Sequence, residues 1–248
     1  MDLTAPIRKL SESLPETWGK YLLHCLDGFD PYMLRSYSQE GEDMILRRIL
    51  EKRTANQFYV DVGAYHPKQY SNTYFFYSRG WSGINIDAMP GSMELFKQER
   101  PRDINLEIPI AKEQKKLTYF QFNKPALNTF SENLARSRDK IHPFKIIAQQ
   151  EIETYPLKMI LEKHLDSSKT IDFLSVDVEG LDLEVLQSND WSKFRPNIVL
   201  IEILSSSLHS IQDCPIYQYL SKQNYHIYAK AFHTAFFVSD EYLNKFLL

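Results

Sequence analysis

The feature that most constrains this chain is a pair of short apolar runs that each end in a carboxylate: FYVDVGAYHP over residues 58–67 and GINID over residues 83–87. Runs of this length, rich in β-branched and aromatic residues, read as buried strands. The first brings Asp61 to a sheet edge and continues into Gly63, which lets the backbone approach a ligand closely. Asp87 follows 26 residues later, at the tip of the next strand, where a carboxylate can accept hydrogen bonds from two ribose hydroxyls. The layout implies two neighbouring parallel strands whose C-terminal ends face a nucleotide-like ligand. A turn of purely structural purpose is the competing reading of Asp61-x-Gly63.

A chain of 248 residues accommodates one well-buried α/β domain with a small appendage. The net charge of −3, with scattered basic residues, leaves no nucleic-acid footprint. Cys25 and Cys214 match no metal or redox spacing and read as reduced thiols. The N-terminus lacks the basic-then-apolar layout of a signal peptide, and no apolar run approaches about 18 residues. The expectation is therefore a cytoplasmic protein without a membrane anchor.

Apolar positions at Ile7, Leu10, Leu14, Trp18, Leu22 and Leu26 recur every three or four residues, which predicts an amphipathic helical region interrupted at Pro15. Its expected partner is the domain or a second copy of the chain, so a homodimer is foreseen. We divide the chain into an N-terminal helical extension, 1–36, and a main domain, 37–248. Ser38 is a candidate N-cap for the next helix, with acids at 40, 42 and 43 and bases at 47, 48, 52 and 53. That helix is either scaffold or a lid edge beside the ligand.

From residue 57 the chain alternates. Strands are predicted at 57–61, 83–87, 104–110, 171–177, 197–203, 225–230 and 234–239, and helices at 69–79, 91–99, 156–165, 180–188 and 215–223. Such alternation predicts a parallel sheet covered on both faces. The last two strands are four residues apart and can only form a hairpin. Residues 111–155 interrupt the pattern with strand-like runs at 117–122 and 145–152 and a helix starting at Asn128 or Thr129. This extension is expected to supply part of a substrate wall.

The run SVDVEG over residues 175–180 places Asp177 and Glu179 at the end of a central strand, on one face while the chain stays extended. Close carboxylates need a cation, a shared proton or a substrate hydroxyl between them. The bland alternative makes Glu179 a helix cap. Glu202 lies within an apolar run, where an unpaired carboxylate is costly, so it needs either a structural ion-pair partner or a catalytic role. His233 and His209 are candidate bases or ligands, set against ordinary surface or core histidines. Tyr65 and Pro67 stand where a dinucleotide loop would carry further glycines. A pyrophosphate needs those glycines, whereas S-adenosylmethionine carries no phosphate, so the loop disfavours NAD(P).

These residues resemble the FkbM family of S-adenosylmethionine-dependent methyltransferases. The matching pieces are SQEGED (38–43), YVDVGAYHP (59–67), NT (72–73), RGWSGINID (79–87), FLSVDVEG (173–180), RPNIVLIE (195–202) and TAFFV (234–238). The resemblance implies an α/β class I methyltransferase fold, Rossmann-like, with a seven-stranded mostly parallel sheet ending in an antiparallel hairpin. It implies O-methylation of a hydroxyl, most often on a sugar or sugar nucleotide in polysaccharide or natural-product synthesis. Ser38, Gln39, Asp61, Gly63, Tyr65 and Asp87 would contact the cofactor. Asp177 and Glu179 would lie at the reacting end; His233 stands where many relatives carry a different polar residue, and it is a catalytic candidate from its own chemistry. Because deprotonating an alcohol is assisted by a base or a divalent metal, Asp177, Glu179 and Glu202 are also an expected oxygen-ligand set for Mg²⁺ or Mn²⁺. The rival readings are an NAD(P)-dependent oxidoreductase and a non-catalytic cofactor-binding module.

Overall fold

The computed structural model describes residues 10, 13–15, 17–18, 32–51, 56–166, 168–204 and 207–247. Contacts separate the chain into two units, Met1–Arg35 and Ser36–Leu248, and every strand of the described residues belongs to the second. The amphipathic region expected over 7–26 lies largely outside the described residues, as does Cys25.

Along the chain run α1 (Glu42–Leu50), β1 (Phe58–Val62), α2 (Tyr74–Tyr77), β2 (Ser82–Asp87), α3 (Ser92–Glu99) and β3 (Ile104–Glu107). There follow β4 (Lys115–Phe122), α4 (Glu132–Arg138), β5 (Ile146–Thr154), α5 (Leu157–His164), β6 (Phe173–Val176) and α6 (Asp182–Gln187). Then come β7 (Ile198–Glu202), α7 (Pro215–Lys222), β8 (Tyr225–Lys230) and β9 (Thr234–Ser239), followed by short helical turns over Asp240–Tyr242 and Leu243–Leu247. The main sheet has the order β3-β2-β1-β6-β7-β9-β8, parallel except for β9, which runs antiparallel to both β7 and β8. This is the class I methyltransferase sheet, and the expected strands and closing hairpin are all present.

All five residues of β1 are buried, as a central parallel strand covered on both faces requires. Alternate residues supply two cores. Phe58, Val60 and Val62 join Leu174, Val199, Leu161 and Val185 on one face. Tyr59, Phe173, Ile198 and Leu200 meet Leu46, Phe76 and Trp81 on the other. Asp61 shares the Tyr59 face and lies in register between Asn85 and Ser175. The chain leaves β1 towards β2 on one side and returns at β6 on the other. That topological switch point opens a crevice at the strands' C-terminal ends.

Three boundaries differ from expectation for local reasons. The helix foreseen at 69–79 shrinks to Tyr74–Tyr77 because Tyr70 is left-handed (φ 58°) and the Ser71 hydroxyl accepts the Tyr74 N–H at 3.0 Å. The helix foreseen from Ser38 starts at Glu42 behind a left-handed Gly41 (φ 85°). Ser38 instead donates to Asp43 Oδ1 at 2.9 Å, while Tyr37 N–H donates to Asp43 Oδ2 at 2.7 Å. In the extension, β4 and β5 form an antiparallel pair, and α4 is capped by Ser131 rather than begun at Asn128 or Thr129.

A buried polar network braces the Asp61 side of the sheet. Arg100 is wholly buried and donates to Asp103 (2.8 Å), Thr73 Oγ1 (2.9 Å) and the Tyr59 hydroxyl (2.6 Å). Tyr59 donates on to Asp103 at 2.7 Å, and Thr73 donates to Asp61 Oδ2 at 3.0 Å. Among the described residues no helix is long and apolar enough to cross a membrane.

Candidate functional site

The crevice at the switch point is a cleft lined from β1, β2, β6, β7 and β9, from the loop before α1, and from the 111–155 extension. Its first wall is the loop after β1. Gly63 is left-handed (φ 86°), and a Cβ there would lie 1.7 Å from the Asp177 carbonyl oxygen. The glycine therefore serves the contact between the β1 and β6 tips. Tyr65 is also left-handed (φ 52°), which turns its N–H onto Asp87 Oδ2 at 2.8 Å. Met89 N–H takes Asp87 Oδ1 at 2.8 Å. Backbone donors thus aim both carboxylate oxygens and leave each with a lone pair for a ligand hydroxyl. Tyr65 stacks on Tyr70 with centroids 6.3 Å apart, and both rings line the cleft. A left-handed tyrosine held by such contacts marks a strained functional loop.

The second wall gathers carboxylates. Asp177 follows β6 and opens into the cleft, and Glu202 ends β7. No donor among the described residues reaches either side chain. Burial, then the charges of Glu202, Asp182, Glu179 and Asp61, push the Asp177 carboxyl well above the carboxylate range. Burial and the charges of Glu179, Asp182 and Glu40 raise Glu202 to about 7, against the opposing pull of Arg138. Both carboxyls therefore hold their protons more tightly than free ones, and the charge of Glu202 is one cause for Asp177. Asp61, buried beneath the first wall, is raised to about 6 by burial despite Arg100.

Glu179 has a different part. It is left-handed (φ 54°), its carboxylate pairs with Arg138 Nη2, and its carbonyl accepts the Thr129 hydroxyl at 2.6 Å. It does not cap α6. Asp182 holds that turn instead, accepting from Val178 N–H and Gly180 N–H at 3.1 Å each.

The rim comes from the segment before α1. Glu40 Oε2 accepts the His233 N–H at 2.7 Å, and Glu42 Oε1 accepts the Thr234 hydroxyl at 3.1 Å. His233 Nδ1 is buried without a partner among the described residues, 4.0 Å from Glu40 Oε1.

Gln39, Asp61, Gly63, Tyr65, Asp87, Asp177, Glu179, Glu202 and His233 all line this one cleft. Ser38 does not, because its hydroxyl is turned to Asp43; His209 also lies outside it. The expected metal set needs correction. Among the described residues, no group of three or more His, Cys, Asp or Glu side chains is arranged to hold an ion. Glu179 lines the cleft beside the other two, but its carboxylate is paired with Arg138. Sequence reasoning missed Glu40, Arg138, Thr129 and Asp182. The acids of SQEGED were visible, but their partners lie 193 and 192 residues away, a pairing that no local spacing signals.

The family described as Methyltransferase FkbM domain matches residues 61–227. Among solved structures, the tRNA (uracil-54, C5)-methyltransferase of Pyrococcus abyssi in complex with S-adenosyl-L-homocysteine is 11% identical, with a TM-score of 0.34. That likeness covers 79% of this chain, which spans only 37% of the other. An O-methyltransferase from Bacillus cereus, also in complex with SAH, is 10% identical with a TM-score of 0.40, covering 95% of this chain and 97% of that one. No curated protein sequence matches.

Proposed function

Because the chain belongs to the FkbM methyltransferase family, we propose that it is an S-adenosylmethionine-dependent O-methyltransferase acting on a hydroxyl of a sugar or sugar nucleotide. Residues 37–248 are the catalytic domain in this reading, and the cytoplasm is its compartment.

The residues present fit the cofactor. Asp87, aimed by the Tyr65 and Met89 N–H groups, suits a ribose diol. Seven carboxylates line the cleft, from Glu40, Glu42, Asp61, Asp87, Asp177, Glu179 and Glu202, and this charge suits a sulfonium and an ammonium. The same lining repels a pyrophosphate, which argues against a dinucleotide.

The observation that carries the O-methyl reading is the Asp177–Glu202 pair, open to the cleft, with Asp177 held well above its ordinary value and Glu202 raised to about 7. Such a pair has the basicity to take the proton of a hydroxyl. S-adenosylmethionine, held by Asp87 and the loop after β1, would supply an electrophilic methyl group to the acceptor oxygen and would itself be left as the neutral thioether. The protein orients the acceptor oxygen in line, and proximity is its main contribution. The ionised Glu202 carboxylate receives the hydroxyl proton. Glu179, paired with Arg138, shapes the site rather than moving the proton. The rings of Tyr65, Tyr70, Tyr119 and Phe130, which line the same cleft, support a sugar, whose C–H face stacks while its hydroxyls donate.

Calorimetric titration with S-adenosylhomocysteine and with NADH tests the reading. Micromolar binding of the first and none of the second is expected. The reverse would return the oxidoreductase.

A further inference from the structure

Resting on that reading of the cleft, we propose that Arg138 is a positioning residue that fixes the acceptor wall of the 111–155 extension to the reacting end of the cleft. Its guanidinium makes two contacts at once: Nη1 donates to the Leu127 carbonyl at 3.0 Å, and Nη2 pairs with Glu179 Oε2. The two side chains are only 14% and 22% exposed, so water screens the pair far less than a surface salt bridge. A planar fork of donors is what such a two-point grip requires.

Two more contacts join the same elements. Thr129 holds the Glu179 carbonyl, and a Cβ on Gly180 (φ 105°) would lie 3.3 Å from Leu134 Cδ2. The extension thus grips Glu179 by backbone and by carboxylate, and it grips the next residue by packing. A left-handed glutamate persists only where its surroundings over-determine it. The segment that does so also presents Pro125, Ala126, Asn128 and Phe130 to the cleft. Acceptor wall and carboxylate set are therefore one assembly with Arg138 at the joint.

The charge matters as well. Glu179, Asp182 and Glu40 face Glu202 with negative charge, and Arg138 opposes them with positive charge. Removing that cation makes Glu202 harder to ionise. An arginine that merely braced the β4–β5 pair would leave this ionisation unmoved.

The test is Arg138→Gln and Arg138→Lys in the full chain, read by ¹³C NMR titration of the carboxyl groups, affinity for S-adenosylhomocysteine, and acceptor KM. In Arg138→Gln the Glu202 midpoint moves alkaline by half a pH unit or more, while cofactor affinity stays within about twofold. Arg138→Lys keeps the midpoint but loses the two-point grip, and acceptor KM rises about tenfold. An unmoved midpoint in Arg138→Gln overturns the proposal; should that variant not fold, a wild-type KM in Arg138→Lys does so. The NMR arm needs no turnover. If the protein binds S-adenosylhomocysteine but methylates no hydroxyl, the function proposed above fails while this inference is still decided.

Discussion

A Cβ on Gly63 would stand 1.7 Å from the carbonyl oxygen of Asp177, so the loop after β1 and the tip of β6 touch backbone to backbone. The residue also sits at φ 86°, where side chains are strained regardless of space. Gly63→Ala must therefore push apart the two tips that frame the cleft. Calorimetry should show cofactor affinity lost by about a hundredfold or more, and thermal melting a destabilisation of about 3 kcal/mol.

Asp87 holds its position through two backbone donors, Tyr65 N–H and Met89 N–H. Asp87→Asn keeps one acceptor oxygen and loses the charge. A charged hydrogen bond of about 1.5–3 kcal/mol corresponds to an affinity loss of roughly ten- to hundredfold for S-adenosylhomocysteine. At saturating cofactor kcat should change little, because the proposed role of Asp87 is to hold the ribose rather than the acceptor. Steady-state kinetics separates the two effects.

Arg100 is fully buried and satisfied by Asp103, Thr73 and Tyr59. Arg100→Met leaves the Asp103 carboxylate buried without its counter-charge, which costs about 3–5 kcal/mol. Urea denaturation should show this loss. Arg100→Met with Asp103→Asn should recover part of it, since the stranded charge is then gone.

Activity and stability should respond to pH in opposite directions. Glu202, at about 7, acts as a base only when ionised, so kcat/KM rises with pH through about 7 and falls below it. Glu202→Gln should flatten that limb and lower kcat/KM by roughly 10²–10⁴. Buried Asp61 and Asp182 are both raised to about 6, principally by burial. Their folded values exceed the unfolded ones, so the stability they contribute is complete below about 4 and is lost as pH rises through about 6. Melting of the ligand-free protein should therefore drop by roughly 5 °C between pH 5 and pH 7, for an order of 2 kcal/mol.

Much of the fold was legible because it rests on local pattern. The buried run around Val60 and its carboxylate end announced β1, and the short gap before Thr234 required the closing hairpin. The cleft edge was legible for the same reason, since Asp61, Gly63 and Asp87 are strand-tip residues that line it. What escaped depends on long-range pairing. Ser38 looked like an N-cap, but Asp43 claims its hydroxyl and the helix begins at Glu42. Glu179 looked like a metal ligand or cap until Arg138, 41 residues earlier, took its carboxylate. Tyr65 in place of glycine read as a missing signal; it is instead a left-handed residue whose N–H aims Asp87.

The most direct test of the central claim is transfer of labelled methyl from S-adenosylmethionine to a panel of sugars and sugar nucleotides by wild type and Glu202→Gln. The account predicts label on a sugar oxygen as a base-stable ether, with the rate rising through pH 7 and collapsing in the variant. Label on nitrogen or carbon, or undiminished transfer by Glu202→Gln, would contradict it.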